Sequence, residues 1–222
     1  MFPTSDSLIN VHSHFRKKIP SEFAIRNAFL KHDNSKLSKI EYPVSIGLHP
    51  WHIDEMTIEE CEEKLLQLVS LDNVFAIGET GIDRSIETDL KKQYSFFEAQ
   101  LTIAETINKP VIVHAVKSYS DMIPYLKRST VPFIFHAYNG NKIQAKELLK
   151  YNCKLSFGKN IFGHKSDDIL RILPDGTFFL ETDTANHITI SDVYDKAAEI
   201  RKTKTTLLKE QLFHTFAQIF SK

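Results

Sequence analysis

Short runs of apolar, β-branched and aromatic residues recur along this chain, separated by stretches whose apolar positions repeat every three or four residues. Eight runs have the length and composition of strands: residues 8–12, 23–30, 42–48, 74–78, 111–114, 132–136, 154–157 and 177–181. The run at 23–30 is the least regular. Helical patterns fill the gaps from the third run onward. Thr57-Ile58-Glu59-Glu60 is a capping box that opens a helix burying Cys61, Leu65, Leu68 and Val69. A long helix over about 88–107 carries Tyr94, Phe97, Leu101 and Ala104 on one face. Another starts near Ser118 or Ser120 and is interrupted by Pro124. Asn141-Lys142-Ile143-Gln144 opens the next, and Ser166 caps a short one. Two helices, 191–202 and 205–221, close the chain, the last burying Leu208, Leu212, Phe216 and Ile219.

Strands alternating with helices predict a parallel sheet. With eight of them the natural closure is a (β/α)8 TIM-type barrel, formed by residues 1–222 as one domain. The first third departs from the ideal. Between His14 and Tyr42 there is room for one strand and little helix. The first two βα units are therefore expected to have shortened or missing helices.

Composition adds little beyond an ordinary globular chain of 222 residues, 42% hydrophobic and 25% charged. Cys61 and Cys153 make no disulfide framework. The first residues lack the pattern of a signal peptide, and no apolar run approaches a membrane span. The expectation is a cytoplasmic protein with no membrane contact and no obligate protein partner. Charge changes the picture more. Twenty-eight basic residues balance 28 acidic ones, so the footprint of a dedicated duplex-binding module is missing. The local clusters Arg16-Lys17-Lys18 and 201–204 read as solvated faces or loops. This balance argues against a scanning binder and leaves room for a nuclease acting on a small or single-stranded substrate.

The candidate chemistry sits at the strand ends. His12 and His14 lie two residues apart at the end of the first run, so on a strand both imidazoles face one side. His49 follows the third run, Glu79 the fourth, His114 the fifth, His136 the sixth and Asp183 the eighth. Active sites of such barrels lie at the carboxyl ends of the strands. A histidine ending one strand is usually a core residue. Five histidines with two carboxylates on one rim are costly to bury without a compensating charge, which one or two divalent metals supply.

These residues, read together, resemble the TatD family of metal-dependent hydrolases among the amidohydrolase-like barrels. The resemblance rests on His12-Ser13-His14, Ile46-Gly47-Leu48-His49-Pro50, Ala76-Ile77-Gly78-Glu79-Thr80-Gly81-Ile82-Asp83, Lys109-Pro110-Val111-Ile112-Val113-His114, Phe135-His136-Ala137-Tyr138-Asn139-Gly140 and Leu180-Glu181-Thr182-Asp183. It implies that His12, His14 and Asp183 hold one metal and His114 and His136 a second, with Glu79 bridging. It implies Asp183 as general base and His49 in the substrate pocket. The mixed ligands suit zinc, manganese or iron, with magnesium less well served. Glu181, in phase with Asp183, is either a paired barrel carboxylate or part of the site.

The chain also departs from the family pattern. Val116 stands where an arginine is usual, with Lys117 following, and Arg84 replaces a tyrosine. Ala137-Tyr138-Asn139-Gly140 replaces Cys-Phe-Ser-Gly. No proline follows Asp183, and His214 takes the place of an asparagine. The ligands are kept while the substrate loops have drifted. Three readings follow. The first is a phosphodiesterase, a deoxyribonuclease acting on DNA ends, single strands or a small phosphoester, with Arg84 and Lys117 as replacement phosphate contacts. The second is a hydrolase of a small amide, lactone or ester. The third is a non-catalytic binding protein on a degenerate barrel. Trp51 is read as rim packing ahead of stacking on a base.

Overall fold

A computed structural model of the chain describes residues 2–15, 19–31 and 33–221. The strands are β1 (Leu8–Ser13), β2 (Glu22–Phe29), β3 (Val44–Gly47), β4 (Val74–Asp83), β5 (Val111–Val116), β6 (Phe133–Phe135), β7 (Cys153–Phe157) and β8 (Phe178–Leu180). The eight pair in parallel in sequence order. A bridge between Ser13 and Asp183 brings the end of β8 back to β1. The result is a nearly closed (β/α)8 barrel, as the alternation of patterns predicts. Both faces of most strands are buried, which is why they read as continuous apolar runs rather than alternating ones.

The helices are α1 (Ile58–Leu68), α2 (Leu90–Thr106), α3 (Tyr119–Arg128), α4 (Lys142–Leu148), α5 (Asp167–Ile172), α6 (Ile190–Arg201) and α7 (Thr205–Phe220). Among the described residues, the segment before β3 carries no α-helix, only the short 3-10 turn Leu37–Lys39. The helical ring is open there, as the short connections require. Thr57 with Glu60 and Asn141 with Gln144 form the expected capping boxes. Leu208, Leu212, Phe216 and Ile219 are buried along α7. No helix among the described residues is long and apolar enough to cross a membrane.

Local patterns misplace a few boundaries. Pro124 does not interrupt α3. It removes one backbone donor, while Tyr119, Met122, Tyr125 and Leu126 press the segment onto the barrel. The α6 helix is capped by Thr189, in a box with Asp192, rather than starting at Ser191. β4 runs on past its apolar stretch to Asp83. The cluster Arg16-Lys17-Lys18 lies outside the described residues. In the other basic cluster Arg201 is no solvated charge. Its guanidinium donates to the carbonyls of Leu170 and Leu173 and to Asp175.

Buried polar side chains fix the strand ends that carry the site. Asn10 donates to Thr182 Oγ1 at 2.8 Å and accepts from the Thr182 amide at 3.0 Å, closing the β1–β8 seam. Gln100 on α2 accepts from Leu48 N and donates to Leu48 O and Thr80, holding the end of β3. Gln93, two turns earlier, does the same for both backbone groups of Asp83. The bonds to Thr182 N, Leu48 and Asp83 satisfy backbone groups at the strand ends, and those to the Thr182 and Thr80 hydroxyls tie side chains across them.

Gly81 lets β4 lie close on β5. Its φ is +152°, and a Cβ there would sit 1.9 Å from the His114 carbonyl oxygen. Gly81→Ala is expected to lower unfolding free energy by about 2 kcal/mol or more, read as a lower urea midpoint. An unchanged midpoint would show that the strands separate freely at this point.

Candidate metal centre

The carboxyl ends of the strands gather the polar residues on one rim. His12 lies within β1, and His14 follows it on the same side. His49 caps the 3-10 turn Pro50–Glu55, its Nδ1 accepting from the Trp51 amide at 3.1 Å. Glu79 lies within β4 and His114 within β5, while His136 follows β6 directly. Asp183 follows β8 in the left-handed region, φ 49°, with its amide donating to the His12 carbonyl.

Glu79 stands at the centre, 4% exposed. Its two oxygens divide the histidines. Oε2 lies 3.5 Å from His12 Nε2 and 3.5 Å from His14 Nε2. Oε1 lies 3.2 Å from His49 Nε2, 2.8 Å from His114 Nδ1 and 2.7 Å from His136 Nε2. Asp183 Oδ1 approaches the first group, 3.8 Å from His12 Nε2 and 3.5 Å from His14 Nε2. Ligand atoms of three sets, His12–His14–Glu79, His12–His136–Asp183 and His49–Glu79–His114, each lie within 4.8 Å of one another.

Hydrogen bonding inside the protein leaves this cluster incomplete. Both ring nitrogens of buried His12 and Nδ1 of His136 have no hydrogen-bond partner. Buried imidazole nitrogens without partners are costly. A divalent cation fits His12 Nε2, the nitrogen of this set that faces both Glu79 and Asp183, because it takes neutral imidazole nitrogen and carboxylate oxygen together.

Two further carboxylates back the cluster. Asp83 Oδ2 lies 3.1 Å from His114 Nε2, and Glu181 Oε1 lies 3.7 Å from His136 Nδ1 while accepting from the Ala137 amide at 2.8 Å. Each of these histidines thus turns one nitrogen to Glu79 and the other to a second carboxylate. That arrangement orients the ring and raises its basicity as a ligand. Of the two readings of Glu181, the structure favours the buried barrel carboxylate paired with a neighbour. The role of Asp83 was not anticipated from sequence, although it lies in strand phase with Glu79 and that phase could have flagged it.

Protonation follows the geometry. Burial opposes charge on Glu79, yet the surrounding imidazoles hold its carboxyl well below the usual range. Burial also opposes charge on His136 and His114. The facing carboxylates outweigh it, lifting His136 well above the usual imidazole value and His114 above it too. His49 goes the other way, because desolvation outweighs its contact with Glu79.

The remaining sequence-predicted residues fall into different places. His49, expected in the substrate pocket, is buried among the candidate ligands. Arg84 is paired with Asp121 on α3, with Nε at 2.6 Å and Nη2 at 3.1 Å, and Nη2 also reaches Tyr94. Lys117 is exposed just past β5, in left-handed backbone at φ 54°. Trp51 touches the rim through Asp83 and the His49 ring but is 62% exposed.

Residues 31–221 match the family described as TatD related DNase. Among curated relatives, the chain is 31% identical over 146 residues to the uncharacterized metal-dependent hydrolase YabD of Bacillus subtilis, covering 63% of this chain and 57% of that protein. It is 28% identical over 149 residues to the 3'-5' RNA nuclease TATDN2 of Homo sapiens, covering 63% of this chain and 19% of that protein. The alignment thus spans little more than half of the first relative's length and a fifth of the second. Among solved structures, the TatD homolog YJJV of Escherichia coli K12 superposes with a TM-score of 0.85 over 99% of this chain and 100% of that one, at 20% identity.

Metal binding must displace protons that the carboxylate partners hold on His114 and His136. Calorimetry in buffers of different ionisation enthalpy should therefore show net proton release when zinc or manganese binds near pH 7, with affinity weakening as pH falls toward about 6. An affinity independent of pH over that range would contradict this protonation scheme. Glu79→Gln should weaken metal affinity at least about 10-fold in the same experiment, since it removes the charge that both groups of histidines face.

Proposed function

The chain belongs to the TatD-related DNase family, and from that premise we propose that it is a metal-dependent phosphodiesterase, a deoxyribonuclease acting on DNA ends or single strands. The observation that carries this reading is Glu79, whose two carboxylate oxygens face two separate groups of ligand nitrogens. A shared carboxylate between two nitrogen sets is the donor arrangement of a site for one or two divalent ions. His12, His14 and Asp183 would hold one ion and His114 and His136 the other, with Glu79 shared and His49 as a neighbouring donor. When bound, such ions supply Lewis acidity toward a phosphoryl oxygen and acidify a water at neutral pH. Four imidazoles in the set favour zinc or manganese over magnesium.

The chain's own residues divide the remaining work. Asp183, 16% exposed and so the carboxylate of the cluster most open to a water, takes the proton from the attacking water at a carboxylate oxygen. Buried Glu79, at 4% exposed, stays ionised and fixed. Asp83 and Glu181 hold His114 and His136 in one orientation, so the reacting groups need not reorganise. Lys117, exposed past β5, would offer a phosphate a point charge. Arg84 would do so through Nη1, because Asp121 and Tyr94 occupy its other nitrogens. That commitment of Arg84 favours a second reading, hydrolysis of a small amide, lactone or ester, which needs no bidentate phosphate contact.

Cleavage of an end-labelled single-stranded oligodeoxynucleotide with zinc, manganese or magnesium tests the proposal. The parent should cleave, and Asp183→Asn should lower kcat about 100- to 10,000-fold while lowering metal occupancy far less. Turnover unchanged in Asp183→Asn would overturn the mechanism. No cleavage by metal-loaded parent would shift the reading to a small ester or amide substrate. Within the phosphodiesterase reading, Lys117→Ala should raise KM more than Arg84→Ala. Unchanged KM in both would remove them from the substrate site.

A further inference from the structure

Trp51 is the chain's single tryptophan and, at 62% exposed, one of its most exposed large apolar side chains. Its position is nevertheless fixed. The backbone amide donates to His49 Nδ1 at 3.1 Å, and the indole Nε1 donates to Asp83 Oδ2 at 2.8 Å. Both anchors are buried, His49 at 5% and Asp83 at 1% exposed. The Asp83 carboxylate is held in turn by Ser85, whose amide donates to Oδ1 at 2.8 Å. The oxygen that receives the indole N–H also faces His114 Nε2 at 3.1 Å. The indole meets the rings of His49 and His114 nearly perpendicularly, with centroids 5.0 and 6.2 Å away. A large aromatic surface is thus held rigidly beside the metal cluster while most of it faces solvent. Packing does not account for it, since an indole serving the core would be covered.

Resting on the phosphodiesterase reading, we propose that Trp51 is a stacking platform for an unpaired nucleobase, placing the adjoining phosphodiester at the metal cluster. With the backbone amide and the indole Nε1 both anchored, the ring loses little freedom when a flat base is laid on it. Such stacking is tolerant of base identity, because every base has a π-face. The platform favours a single strand or a frayed end over an intact duplex, whose bases are already stacked on one another. It also supplies binding that does not depend on a phosphate-clamping arginine, which suits a chain with Val116 in place of that residue and Arg84 tied to Asp121. Asp83 gives the platform its second function. One carboxylate orients both the indole and His114, so the base platform and the metal ligand are positioned by the same group.

Because no other tryptophan contributes, emission of the protein reports on Trp51 directly. The metal-loaded protein is titrated with a single-stranded oligodeoxythymidylate carrying cleavage-resistant phosphorothioate linkages, and in parallel with an abasic strand of the same length and linkage. The expected result is saturable quenching by the thymidylate strand alone. In steady-state cleavage of unmodified strands, the parent should prefer the base-bearing strand by about five- to a hundred-fold in KM. Trp51→Ala should lose that preference, and Trp51→Phe, which keeps a ring but no indole N–H, should retain part of it. Equal response of the emission to both strands, or an undiminished preference in Trp51→Ala, would overturn the platform even if cleavage is observed. Quenching by the thymidylate strand without cleavage of any phosphodiester would leave the platform standing while the hydrolase reading failed.

Discussion

A single buried carboxylate organises the functional end of this barrel. Glu79 faces five imidazoles, two at Oε2 and three at Oε1. A carboxylate in such surroundings is costly unless it is paired, and this one is paired so strongly that it remains ionised. The same contacts leave His12 with two unpartnered nitrogens in the protein interior. The cluster therefore gathers more donor atoms than hydrogen bonds within the protein satisfy. In the proposed reading a divalent cation would be held by these donors, with a place for one on either side of the Glu79 carboxylate.

Everything around Glu79 serves to hold strand ends in register. Asn10 ties β1 to β8 at the seam where Asp183 closes the barrel. Gln93 and Gln100, both 1% exposed on α2, bind the backbone at the ends of β4 and β3. Asp83 and Glu181 stand behind the histidines of the second group. The open helical ring before β3 lies between two of these clamps, Asn10 on β1 and Gln100 at the end of β3. The precision of the site thus comes from side-chain bonds to strand ends, two of the clamping residues being supplied by α2.

Much of this was legible in the sequence because the barrel repeats one simple signal. Continuous apolar runs such as Val111-Ile112-Val113 and Phe133-Ile134-Phe135, each followed by histidine, mark both a doubly buried strand and the residue that leaves it. The capping boxes at Thr57 and Asn141 were legible for the same reason, since local hydrogen bonds decide them. What sequence could not supply was partnership across the chain. The pairing of Arg84 with Asp121 brings together β4 and α3, and nothing local in either segment announces it. The family resemblance puts His49 in the substrate pocket, and the 3-10 turn it caps draws the ring inward to Glu79. Pro124 in α3 shows tertiary burial overriding a local helix breaker. Gln93 and Gln100 carry no local signal of a buried role, and only the packing of α2 across the strand ends gives them one.

The most direct test of the account is a crystal of the metal-loaded protein, measured at the absorption edge of zinc or manganese. Anomalous difference density should lie on the two sides of the Glu79 carboxylate, one position against His12, His14 and Asp183 and the other against His114 and His136. Metal bound away from Glu79, or His12 left without a metal contact while the ion sits elsewhere on the rim, would contradict the view that this carboxylate divides the site.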